Sequence, residues 1–162
     1  MRRVRQFTIL FGLGAALHIA ILAGCGGGDD GDKFASVPCS RESRKDVYAA
    51  SMMKSGAAGY QVRLLESTPA PPQKNDNAWR FELLNPAGGT VTSAAVTVFP
   101  FMPDHGHGTP IQVQVTAPGA GETAYRASPI NLWMPGLWRI NVQVSEAGKS
   151  VDTVEFFFCI DG

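Results

Sequence analysis

The chain has 162 residues, 44% hydrophobic, 9% aromatic and 17% charged, with 14 basic side chains against 14 acidic ones. That length suits one domain plus a tail or targeting segment, and the apolar fraction is too high for a disordered chain. Zero net charge argues against a nucleic-acid binder, which carries a basic excess, while 18 Gly and 11 Pro favour a turn-rich fold over a helical bundle.

In chain order, Arg2, Arg3 and Arg5 form a basic start, Phe7 to Ala23 is a nearly uncharged apolar run, and Leu22-Ala23-Gly24-Cys25 closes it. Charged start, apolar middle and small-residue exit are the order of an export signal. The segment resembles a bacterial lipoprotein signal, which implies cleavage after residue 24 and a diacylglyceride on the Cys25 sulfur. An uncleaved membrane helix is the alternative, since the run approaches the ~20 residues that span a bilayer. The Gly26-Gly27-Gly28-Asp29-Asp30-Gly31-Asp32 stretch that follows suits a flexible tether better. The expected product is exported and anchored by lipid in the bacterial cell envelope, on the periplasmic side of either the inner or the outer membrane.

Loss of residues 1–24 removes three arginines and no acid, which leaves 11 basic against 14 acidic side chains, a net charge of −3. With Cys25 acylated, Cys39 and Cys159 remain as an even pair in an oxidising compartment, and a disulfide between them is expected. Two free buried thiols are the alternative.

Residues 25–38 read as tether and 39–59 as a lead-in segment, where Asp46 is placed to cap a short helix through Val47, Ala50 and Met53. From residue 60 to 162 the period is two. Tyr60-Val62-Leu64, Trp79-Phe81-Leu83, Ile111-Val113-Val115 and Trp138-Ile140-Val142-Val144 each alternate with polar residues. With Val96 to Met102, Ala124 to Ser128 and Val151 to Ile160 this makes about seven short antiparallel strands separated by Gly/Pro-rich turns. The expected class is all-β, an immunoglobulin-like sandwich, with a small closed barrel as the alternative. In the last strand Val154, Phe156, Phe158 and Ile160 share one face, so Cys159 points away from it.

Beyond residue 24 the two histidines both lie in Pro100-Phe101-Met102-Pro103-Asp104-His105-Gly106-His107-Gly108. If that stretch is extended, His105 and His107 point to one side and present two imidazoles to one ion. Met102 adds a thioether, and Met134 recurs in a second Met-Pro pair within Asn131-Leu132-Trp133-Met134-Pro135-Gly136-Leu137-Trp138. Loops cluster at the ends of a sandwich, so the two segments are placed to meet at one rim. Imidazole and thioether together suit Cu(I), with Cu(II) open to the histidines alone. Zinc wants a third His, Cys or carboxylate, and only Asp104 is adjacent. Trp133 and Trp138 are placed to shield such an ion. Equally, Met102 in register with Val96 and Val98 closes the core, and Met134 beside two indoles is a sulfur–aromatic core contact.

Enzyme signatures are missing: no Gly-x-Ser-x-Gly elbow, His-Glu-x-x-His or Walker loop occurs, and no catalytic residues are expected. Together with Pro69-Ala70-Pro71-Pro72, the two Met-Pro segments make the chain similar to the YtkA-like domain family. That resemblance implies a small immunoglobulin-like sandwich outside the cytoplasm, in the company of metal-transport and membrane-fusion components. The expectation is therefore a lipid-anchored, non-enzymatic envelope domain binding copper or a similar ion through His105, His107, Met102 and Met134, for buffering or delivery to a transport partner. The other reading is a structural or protein-interaction module without metal.

Overall fold

In the computed structural model, residues 38–147 and 149–162 are described. The signal-like segment, Cys25 and most of the tether lie outside them. Nine strands form among the described residues: β1 Met52–Ser55, β2 Gln61–Thr68, β3 Asn75–Leu84, β4 Ala95–Met102, β5 His107–Gly108, β6 Gln114–Thr116, β7 Ala124–Leu132, β8 Gly136–Glu146 and β9 Lys149–Ile160. They make two antiparallel sheets, ordered β1-β2-β3-β7-β6 and β5-β4-β8-β9. Each of the seven strands expected from alternation has a counterpart, although the one expected on Ile111-Val113-Val115 forms only over Gln114–Thr116 and leaves Ile111 exposed. The short β1 and the two-residue β5 join them, and the sheets remain open rather than closing into a barrel.

Alternation produces this because every second side chain of a strand faces the same way, and one face of each sheet must leave water. Val62 and Leu64 of β2, Trp79, Phe81 and Leu83 of β3, Ile140, Val142 and Val144 of β8 and Val154 and Phe156 of β9 are all at most 1% exposed. The two sheets meet through aromatic rings. Trp79 packs edge-on against Phe156 and Phe158 of the other sheet, with centroids 5.5 and 5.9 Å apart, while within the first sheet Phe81 stacks on its ladder partner Tyr125 at 5.6 Å. Each such pair adds about 0.5–1.5 kcal/mol beyond simple burial. Between β3 and β4 the chain turns on Asn85, whose side-chain oxygen accepts the Ala87 and Gly89 amides while Gly88 takes φ +82°.

The lead-in segment departs from expectation. No helix forms there; residues 50–55 turn into β1, which pairs with β2 from Met52 opposite Leu64 to Ser55 opposite Gln61. Asp46 caps no helix. Its backbone N–H donates to the Phe157 carbonyl at 2.7 Å, and its carboxylate accepts the Phe157 N–H at 2.8 Å and the Lys54 ammonium at 2.6 Å. The physical reason is the free edge of β9, whose unpaired amides and carbonyls bind a passing extended chain more effectively than a weakly periodic helix would. Ser51 at φ 63° and the Met52 N–H to Ala49 carbonyl bond complete the break.

Cys39 and Cys159 are joined by a disulfide spanning 120 residues, with Cα atoms 5.4 Å apart. Cys159 lies on the outer side of β9, as its place between buried Phe158 and Ile160 requires. The bridge therefore clamps the lead-in segment onto the outside of the sandwich.

Candidate functional site

The two histidines sit on the β4–β5 hairpin. Its turn is tight: the Met102 carbonyl accepts the His105 and Gly106 amides at 3.2 and 2.9 Å, and Gly106 takes φ +71°. The segment is thus not extended, and the simple i, i+2 argument does not describe it. The turn nevertheless brings the rings together, with His105 and His107 centroids 5.7 Å apart and planes inclined by 68°. Gly108 lets the hairpin close, since a Cβ there would lie 2.7 Å from the Pro100 carbonyl oxygen.

His107 pairs directly with Met102 across the ladder. Opposed residues of an antiparallel pair project to the same face, so His107 stands beside the point where Met102 enters the core. Met102 itself is fully buried within the apolar cluster. The loop after β7 supplies the other wall. Trp133 lies against His107 with centroids 5.8 Å apart and planes at 27°, so the two Met-Pro segments do meet at one rim. Met134 is partly buried against the core, and its carbonyl accepts the Trp138 indole N–H at 2.9 Å. Trp138 is fully buried, so of the two indoles it is Trp133 that lies against His107.

His107 Nδ1 lies 3.0 Å from the Gly108 carbonyl oxygen. A carbonyl only accepts, so this bond places the proton of the neutral ring on Nδ1 and leaves the lone pair on Nε2. A metal-binding imidazole is oriented in the same way, its second nitrogen donating to a carbonyl or carboxylate.

Asp104, the adjacent carboxylate, is already engaged. Arg44 donates Nη1 to Oδ1 at 2.7 Å and Nη2 to Oδ2 at 2.6 Å, a two-pronged contact across 60 residues. Arg44 is in turn held by buried Glu42, through Nε at 2.9 Å, Nη2 at 2.6 Å and its own backbone N–H at 2.8 Å. The bonds from the Arg44 side chain and backbone hold the Glu42 carboxyl down at about 2, and the same guanidinium lowers Asp104. Neither Glu42 nor Arg44 stood out in sequence, because nothing in one chain marks residues 44 and 104 as neighbours. Among the described residues no three of His, Cys, Asp and Glu converge in a way that holds a metal ion. Also among them, no helix is long and apolar enough to cross a membrane.

No curated protein and no solved structure matches the chain. A family model, described as YtkA-like, matches residues 54–143, from within β1 to within β8. That stretch carries the histidine hairpin and the Trp133 loop and exceeds half of the chain; the chain therefore belongs to the YtkA-like family.

Proposed function

We propose that this protein is a lipid-anchored, non-enzymatic domain of the bacterial cell envelope that binds a copper ion at the β4–β5 rim and buffers it or hands it to a transport partner. The observation that carries the metal reading is the 5.7 Å separation of the His105 and His107 rings. With a metal–imidazole bond of about 2 Å and a further ~1 Å to the ring centre, two imidazoles on one ion hold their centroids roughly 5–6 Å apart. The His107 tautomer supports the same reading, because its lone pair is on the nitrogen remote from the backbone. Met102 and Met134 are the soft donors nearest in register or loop, which is why Cu(I) suits the rim better than zinc. The Cys39–Cys159 bridge is in keeping with an exported location, where disulfides persist, and the signal-like residues 1–24 supply the export route and the Cys25 anchor.

The test is a Cu(I) competition titration of the purified protein against its His105→Ala/His107→Ala variant. Sub-micromolar binding that the double substitution abolishes supports the reading; binding weaker than micromolar, or indifferent to both histidines, removes it. Intact-mass analysis of the protein from membranes tests the anchor, and an unlipidated or uncleaved N-terminus defeats it.

The alternative, a protein-interaction module without metal, draws on exposed apolar side chains. Trp133 at the rim is 43% exposed, and Phe99 and Ile111, both 42% exposed, line a shallow groove beside β4. Partner binding that survives the histidine substitutions but not Trp133→Ala separates this reading from the first.

A further inference from the structure

We propose that Arg44 decides which metal the rim accepts, by engaging both oxygens of the Asp104 carboxylate beside the histidine pair; this rests on the metal reading of His105 and His107. Asp104 precedes His105 directly and is the carboxylate that would complete a two-imidazole, one-carboxylate set. Both of its oxygens are instead taken by the Arg44 guanidinium at 2.7 and 2.6 Å.

This contact differs from a floating surface pair, which contributes little. Glu42, 6% exposed, grips the other edge of the same guanidinium. The short stretch carrying both residues is pinned on either side, by the Cys39–Cys159 disulfide before it and by the Asp46–Phe157 backbone bond after it. Arg44 is thus presented to the hairpin from a fixed support, with its planar fork matched to a carboxylate as a lysine ammonium is not.

The chemical consequence is selectivity. Carboxylate oxygen favours zinc and harder dications, whereas imidazole and thioether favour Cu(I). Engagement by Arg44 occupies the hard donor, and the guanidinium charge disfavours an approaching dication more than a monovalent ion. Glu42 and Arg44 both precede the family-matched residues 54–143, so the device belongs to the lead-in segment and acts on the domain from outside that stretch.

The experiment compares Zn(II) and Cu(I) affinities of the full protein with those of Arg44→Ala and Arg44→Ala/Asp104→Asn. The expected result is a Zn(II) affinity raised at least about tenfold in Arg44→Ala, the scale on which groups around a metal shell count. Cu(I) affinity stays within about threefold, and the zinc gain disappears in the Asp104→Asn background. An unchanged or weaker Zn(II) affinity overturns the proposal, as does a gain that persists without Asp104. Should Arg44→Ala fail to fold, Asp104→Asn with Arg44 intact decides: metal affinity unchanged supports a withheld carboxylate, and a tenfold loss shows Asp104 to be a ligand. The histidine double variant tests the underlying reading separately. If the wild type binds no metal but Arg44→Ala acquires zinc through Asp104 and the histidines, copper binding falls and the gating by Arg44 stands.

Discussion

The imidazole of His107 lies nearly parallel to the indole of Trp133, their centroids 5.8 Å apart, so that a solvent-accessible aromatic reports directly on the candidate metal ligand. A cation on His107 sits within reach of that ring face. Titration with Cu(I) is expected to quench part of the tryptophan emission, and Trp133→Phe to remove the quench while changing affinity by less than about tenfold. The other two tryptophans, Trp79 and Trp138, are buried in the core and supply the constant background. A quench that persists in Trp133→Phe places the ion elsewhere.

Met102 is both a core residue and the ladder partner of His107, and two substitutions separate these roles. Met102→Ala empties core volume and is expected to cost about 2–5 kcal/mol. Met102→Leu keeps the volume and costs less than about 1.5 kcal/mol. If the sulfur binds the ion, Met102→Leu nonetheless loses Cu(I) affinity. Equal affinity in Met102→Leu and wild type assigns the residue to packing alone.

The clamp between the lead-in segment and the hairpin has a defined acid limit. Bonding to Arg44 depresses the Glu42 carboxyl from its ordinary value of 4.5 to about 2. A carboxylate lowered on folding contributes stability that is fully present above its ordinary pKa and is lost as pH falls through the folded value. Asp104 is lowered in the same direction by the same arginine, but its 40% exposure screens the contribution. Melting temperatures of wild type and Glu42→Gln are therefore expected to differ by a constant amount above about pH 5 and to converge between pH 4.5 and 2. A difference independent of pH across that window refutes the assignment.

Replacing both Cys39 and Cys159 by alanine releases a loop of 120 residues. The chain-entropy relation puts the loss at about 4–5 kcal/mol. Urea unfolding measures it, and a loss below about 1 kcal/mol contradicts that relation here. Because the bridge supports Arg44, the same variant is expected to gain Zn(II) affinity in the direction of Arg44→Ala.

Much of the sandwich was legible in the chain because burial imposes a period of two on every strand with one wet face. Trp79-Phe81-Leu83 and Trp138-Ile140-Val142-Val144 mark such strands without any knowledge of their partners, and Val154 to Ile160 even shows that Cys159 faces outward. The lead-in segment departs from its local helical signal for the complementary reason. Asp46 looks like a cap in its own neighbourhood, but its partner Phe157 lies 111 residues away.

The candidate site divides along the same line. Composition and spacing by themselves bring His105 and His107 into one short motif, place Met-Pro in two segments and leave Cys39 and Cys159 as an even pair, since these are properties of neighbours and counts. Only the tertiary structure decides that Gly106 bends the hairpin so that the two rings meet, that Trp133 rather than Trp138 covers His107, that Met102 belongs to the core, and that Arg44 takes hold of Asp104. Each of these depends on which strands adjoin and which edges stay open, and those contacts join residues far apart in the chain that carry no local mark of one another.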